Sequence, residues 1–297
     1  MIMNTIHIMV SGAIAFLALA GASHAQVILT SSTYNQSFQK GVNGAPDIFF
    51  GLTGSSTEWV NNSSFPGWYA ISEPGNGKGI RRAAPSGTIT LSTNVVLYAL
   101  RTTDSDGTGT DDVAIGSIRH DDNTGATAFG MQIQNKTGST ITAFNISYLL
   151  QQWQKTSVGT DGYDFAYSTN ATSLTNGTWI HVSALDGNVI TASENPADDK
   201  TPTSTEANTK DPGYAQTIVS SISGLSLADG QTIWFRWFDR DVTGNEAVLT
   251  IDDLSLTATL SIIPEPGMYS VVAALVCSLL ALCRLCIRRG TTANRRD

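Results

Sequence analysis

Short runs of strictly alternating apolar and polar residues, cut by turn dipeptides, constrain this chain most. Phe129, Met131 and Ile133 alternate with Gly130, Gln132 and Gln134. The same period of two runs through Phe144–Leu150, Tyr163–Tyr167, Ile233–Trp237 and Leu254–Leu260. A period of two sends successive side chains to opposite faces of a strand, one face buried and one wet. Asn43-Gly44, Asp106-Gly107, Asp161-Gly162, Asn176-Gly177, Asp186-Gly187 and Asp229-Gly230 punctuate the runs as turns. No long helical pattern stands out between residues 26 and 263. The expectation is an all-β domain: an antiparallel two-sheet β-sandwich of the jelly-roll kind. By simple alternation Trp234 and Trp237 lie on opposite faces, so at most one is core. Thr191–Gly213 contains no large apolar residue and reads as a surface loop. Residues 51–87, rich in Gly, Ser and Pro, read as irregular.

Charge narrows the partners. The 297 residues carry 17 Lys and Arg against 25 Asp and Glu, a net of −8. Residues 26–263 hold 12 basic and 23 acidic side chains, a net of −11, whereas the tail from Arg284 holds five Arg and one Asp. An acidic domain of this kind is a poor ligand for duplex phosphates. All three cysteines, Cys277, Cys283 and Cys286, lie near the C-terminus. The region before them therefore has no disulfide, thiol nucleophile or Cys-ligated zinc.

Both ends read as address signals. Ile8–Ala20 is mostly apolar, and Ser23-His24-Ala25 puts small side chains at −3 and −1 of a cut before Gln26. Residues 1–25 are thus expected to be a signal peptide. At the other end, Pro264-Glu265-Pro266 precedes sixteen uncharged residues, Met268–Cys283; Arg284, Leu285-Cys286-Ile287 and Arg288-Arg289 follow. A bilayer core of about 30 Å needs about 20 apolar residues. Residues 268–287 supply them if Arg284 snorkels to the interface. The basic tail, 288–297, then stays cytoplasmic. The chain divides into a signal peptide (1–25), an exported β-sandwich (26–260) and a C-terminal signal (261–297).

The order of Pro264-Glu265-Pro266, apolar span and Arg288-Arg289 resembles the PEP-CTERM sorting signal of Gram-negative bacteria. That resemblance implies recognition by the membrane protease exosortase and export through the inner membrane. It also implies a membrane-anchored precursor and a mature form at the cell surface or in the extracellular matrix, associated with exopolysaccharide and biofilm. Two prolines fix φ and remove two amide donors, keeping the motif extended for a protease cleft. The stretch Ile115–Asp253 resembles a jelly-roll domain of exported bacterial proteins. The resemblance is carried by Ala128-Phe129-Gly130, the run Asn135–Thr142, Gln152-Trp153, Thr232–Trp237 and Ile251–Leu256. Phe65–Tyr69 belongs to the same pattern, and no activity comes with it.

Three kinds of chemistry are open to the domain. Calcium binds six to eight oxygens on flexible turns. The acidic loop with Asp104, Asp106, Asp111 and Asp112, and a second set of Asp239, Asp241, Asp252 and Asp253, are its candidate ligands. Flat rings match apolar sugar faces; Trp68, Tyr69 and Trp153, with Trp59 and Trp179, are the stacking candidates. Hydrolysis would center on His120 beside Asp121; His120 and His181 are the only histidines of the domain. No nucleophile elbow or metalloprotease helix motif accompanies them. The expected function is a non-catalytic surface or matrix protein binding glycan or matrix components, with no certain cofactor. The alternatives are a calcium-stabilised structural component and a polysaccharide-active hydrolase.

Overall fold

The computed structural model describes residues 26–38, 57–58, 60–63, 65–72, 79–82, 88–90, 97–101, 113–117, 126–152, 160–189, 206–208, 214–240, 242, 247–261 and 274–280. The alternating runs are strands, as expected. In chain order the strands are β1 (Val27–Leu29), β2 (Thr33–Gln36), β3 (Thr57–Glu58), β4 (Trp68–Ser72), β5 (Gly79–Arg82), β6 (Thr88–Thr90), β7 (Leu97–Arg101), β8 (Val113–Ser117) and β9 (Thr127–Asn135). They continue as β10 (Ile141–Gln152), β11 (Gly162–Ser168), β12 (Ile180–His181), β13 (Gly187–Asn188), β14 (Glu206–Asn208), β15 (Tyr214–Leu227), β16 (Thr232–Asp239) and β17 (Leu249–Leu260).

Two sheets face each other across an aromatic core. The first runs β1-β9-β16-β11-β12, with β4 on the same side of β9 as β1 and β13 on the same side of β11 as β12. The second runs β15-β10-β17-β8-β7-β5-β3, with β2 also on β17. Trp237 sits at the center of the core. Its indole stacks on Trp68 (centroids 5.9 Å, 14°) and Phe129 (5.7 Å, 9°), and meets Tyr148 and Phe165 edge-on. Burying such rings supplies the bulk of the hydrophobic drive.

The pairing is not uniformly antiparallel. β1 runs parallel to β9 (Val27 opposite Ile133), and β5 runs parallel to β7 (Ile80 opposite Leu97). Alternation carries no direction, and both pairs have the long intervening chain that a parallel crossover requires. Two further expectations are corrected. Residues 51–87 contain β3, β4 and β5, and the polar insert contributes β14, which pairs with β6. Helical residues 274–280 are exposed throughout. Among the described residues no helix is long and apolar enough to cross a membrane.

Part of the first sheet's outer face is covered as well, so that its strands are not wet along the whole of that side. Residues 169–179 fold back over it. The turn is closed by Asn176, whose Oδ1 accepts from the Thr172 and Ser173 amides at 2.7 and 3.0 Å, and by Ser168 Oγ, which accepts from the Ala171 amide at 3.0 Å. Ala171 and Leu174 thereby pack with Tyr69 and Trp234 in a second apolar cluster. Trp234 is 1% exposed there and Trp237 is 0% exposed in the main core, so both indoles are buried, on opposite faces of one strand. Gly130 permits this close layering: a Cβ at that position would come within 3.0 Å of Leu174 Cδ2 on the folded-back loop, and would also run into the Phe235 carbonyl oxygen of the paired strand.

Candidate functional site

Strand register assembles a groove on the outer face of the first sheet, beside the folded-back loop. Ala166 on β11 lies opposite His181 on β12 and opposite Arg236 on β16. Asp164 lies opposite Phe238, two residues along. The methyl side chain of Ala166 leaves a hollow between longer neighbors. The groove measures about 260 Å³ and is lined by Asp164, Ala166, Trp179, His181, Arg236 and Phe238. That lies just below the roughly 300–1,000 Å³ of sites for drug-sized ligands, room for one small ring.

Each lining group is held by its neighbors. The Arg236 guanidinium carbon lies 4.1 Å from the Trp179 ring centroid and 5.4 Å from that of Phe238. Its Nη1 donates to the Leu174 carbonyl oxygen at 2.7 Å, and Trp179 Nε1 donates to the Asn176 carbonyl oxygen at 2.7 Å. Burial pulls the Arg236 pKa below its ordinary value, opposed by the Asp164 charge. A cation over an indole face fixes both groups, so the aromatic wall is rigid.

The acidic wall is fixed by Arg240. Its Nε donates to Asp164 Oδ1 at 2.6 Å, Nη2 to Asp186 Oδ2 at 3.2 Å and Nη1 to Asn188 Oδ1 at 2.8 Å. Asp186 also accepts from the Phe165 amide at 2.9 Å. His181 Nε2 lies 2.9 and 3.0 Å from the two Asp186 oxygens and 4.0 Å from Asp164 Oδ1. Asp164, His181 and Asp186 hold their ligating atoms within 4.8 Å of one another, a spacing that suits a metal ion. Arg240 already places a cation against both carboxylates, so a metal would have to displace it. The cluster is an ion-pair network that orients Asp164 and His181 at the groove edge.

The expected site residues fare differently. Trp68 and Tyr69 are 0% and 8% exposed, so neither presents a ring to a ligand. They are consecutive on β4, and alternation sends Trp68 into the inter-sheet core and Tyr69 under the folded-back loop, 4.6 Å from Trp234. Asp239 is buried and accepts from Ser117 Oγ at 2.6 Å. Asp252 is buried, and its Oδ1 accepts from the Asp253 amide at 2.7 Å. Asp253 has φ +46°, at a bulge where β17 slips against β10. These three aspartates belong to no cluster of metal-ligating side chains among the described residues. Their jobs in the structure are a cross-sheet hydrogen bond and a bulge. Asp104, Asp106, Asp111, Asp112, Asp241, Trp59, Trp153, His120, Asp121, Pro264, Glu265, Pro266, Arg284, Arg288 and Arg289 lie outside the described residues.

Of the stacking candidates, Trp179 is the one at the groove. Arg236, Phe238, Asp164 and His181 were not singled out from sequence as ligand-binding residues. A signal was present for two of them: alternation in β16 puts Trp234, Arg236 and Phe238 on one face, and that is an unusual set for a wet face.

No family model matches the chain, and no curated protein matches it. Solved structures give partial likenesses. The K2 cleaved adhesin domain of Lys-gingipain, from Porphyromonas gingivalis, is 12% identical over 77% of this chain and 99% of that one, with a TM-score of 0.39. The CBM22-1 xylan-binding domain of Paenibacillus barcinonensis Xyn10C is 9% identical over 77% and 95%, with a TM-score of 0.30. TmCBM61, solved with β-1,4-galactotriose, is 8% identical over 69% and 100%, with a TM-score of 0.31. At such TM-scores these likenesses assign nothing to this chain.

Proposed function

We propose that this chain is an exported surface or matrix protein whose jelly-roll-like sandwich binds glycan, without catalysis, through the groove of Trp179 and Arg236. The observation that carries this reading is the pairing of a rigid aromatic wall with an oriented polar one on an open sheet face. Trp179 and Phe238 offer apolar surface, while Asp164, His181 and Arg236 offer acceptors and donors to hydroxyl groups. Aromatic surface with a few fixed polar groups is how sites of this kind select a polar ring. Both carboxylates beside the groove are committed to Arg240, a role in positioning rather than proton transfer.

The address signals support export. In this reading residues 1–25 are removed and residues 268–287 hold the precursor in the inner membrane. Exosortase then processes it at Pro264-Glu265-Pro266, and exopolysaccharide is the partner outside. The exposed apolar side chains of Leu275, Val276, Leu279 and Leu280 are in keeping with a membrane environment for that segment.

The test is affinity electrophoresis through gels containing the host's own exopolysaccharide. Retarded migration is expected, and Trp179→Ala should abolish it while leaving the far-UV circular dichroism spectrum unchanged. Equal retardation of the variant, or none for the wild type, would overturn the assignment.

A further inference from the structure

The groove of Trp179 and Arg236 has an uneven set of hydrogen-bonding atoms to offer. Arg236 gives Nη1 to the Leu174 carbonyl oxygen, and its Nε is enclosed without an acceptor, which leaves Nη2 for a ligand. Asp164 gives Oδ1 to Arg240, and no described residue bonds its Oδ2. His181 Nε2 faces both Asp186 oxygens. A carboxylate only accepts, so Nε2 carries the proton of the neutral ring and Nδ1 is left as an acceptor. The side chains of His181 and Asp164 are 53% and 43% exposed, open to a ligand from outside. The groove thus presents two acceptors and one donor beside the rings of Trp179 and Phe238.

We infer that the groove selects a neutral sugar ring and turns away uronic acids and amino sugars; this deepens the glycan-binding reading above and rests on it. A hydroxyl both donates and accepts. The hydroxyls of one neutral ring can therefore donate to Asp164 Oδ2 and His181 Nδ1 and accept from Arg236 Nη2. A carboxylate in the place of one of these hydroxyls brings acceptors alone. It can accept from Arg236, but it leaves an acceptor of the groove unmet and sets its charge beside that of Asp164. An ammonium brings donors alone and meets the Arg236 cation. Arg240 offers no compensation to an acidic ligand, because its guanidinium is committed to Asp164, Asp186 and Asn188. At longer range the domain's net of −11 repels a polyanion before it reaches the groove.

The experiment is affinity electrophoresis of the full chain in detergent, with Trp179→Ala as the blank in each gel. The gels hold the host's exopolysaccharide in three forms: native, with its carboxyl groups reduced to alcohols, and with its primary alcohols oxidised to carboxylates. Retardation by the native polymer is expected, with equal or greater retardation by the reduced one. Oxidation should weaken binding roughly ten-fold or more. Asp164→Asn keeps an acceptor for Arg240 but removes the charge, and it should lessen that loss. Loss of retardation on reduction would overturn the selectivity while leaving glycan binding intact, and so would indifference to oxidation. No retardation by any of the three polymers would remove the glycan-binding reading itself, and the selectivity with it.

Discussion

The Tyr163 hydroxyl, on β11, donates to the Leu249 carbonyl oxygen on β17 at 2.6 Å, joining one sheet to the other through the core. The Tyr163 hydroxyl oxygen itself accepts from the Ser117 amide at 2.8 Å. Ser117 in turn donates its hydroxyl proton to Asp239, back on the first sheet. Burial, with Asp239 close by, raises the Tyr163 pKa well above its ordinary value, so the phenol stays protonated and keeps donating. Tyr163→Phe removes the bridge and leaves a buried amide and carbonyl short of a partner. It should cost about 1–3 kcal/mol, seen as a lower denaturation midpoint with an unchanged slope.

Asp161 gives the domain a distinctive response to pH. Its carboxylate is 1% exposed and accepts from the Gly162 and Ala247 amides, each at 2.6 Å. Burial nevertheless raises its pKa from 3.8 to about 6, the two hydrogen bonds and Arg240 opposing the rise. Between these values the folded chain holds a proton that the unfolded chain has released. Stability therefore increases as pH falls through about 6 toward 3.8, by about 2–3 kcal/mol from this group. Asp161→Asn removes that contribution. Thermal melts of both proteins from pH 7.5 to 4.5 should show the wild type gaining on the variant as pH drops; parallel curves would refute it.

Much of the frame was legible in the sequence, because β9, β10, β11, β16 and β17 each carry a local period of two. The covering of the first sheet was not. Its outer layer is a Ser-, Thr- and Asn-rich loop whose apolar contacts, Ala171, Leu174 and Trp179, follow no period. Its burial of Trp234 and Tyr69 was thus invisible to alternation, which reads one strand at a time. The groove was hidden for a different reason. It exists because register places Ala166 between His181 and Arg236, and because Arg240 reaches back to Asp164 and Asp186, 76 and 54 residues earlier. Pairing across three strands is a property of the folded sheet and leaves no local pattern.

Arg240 is the group on which the acidic wall depends. Its side chain is 22% exposed and Asp186 is 8% exposed, so a large part of their interaction is shielded from water. Arg240→Met keeps much of the stem packing and deletes the cation. Asp186 is then left buried without it, at a cost of about 1–3 kcal/mol. Arg240→Lys should recover only part of this, because an ammonium cannot reproduce a fork that reaches Asp164, Asp186 and Asn188 together. Glycan retention in the affinity gel should weaken in the order wild type, Arg240→Lys, Arg240→Met. Equal retention in all three would mean that Asp164 and His181 do not contact the ligand.

Under the proposed function, the fate of the C-terminus decides whether the domain leaves the membrane. In the proposed function the apolar run behind Pro264-Glu265-Pro266 is a membrane span, and the arginines that follow it in the sequence would resist translocation. A span anchored in this way can be released only by cutting the chain on its outer side. Intact-mass measurement of the protein recovered from its own host should therefore give a mature form that starts at Gln26 and ends near Pro264-Glu265-Pro266. Replacing Glu265 with Ala should shift the recovered mass to the form ending at Asp297. If the wild type already ends at Asp297, the sandwich is tethered to the inner membrane, and exopolysaccharide outside the cell is out of its reach.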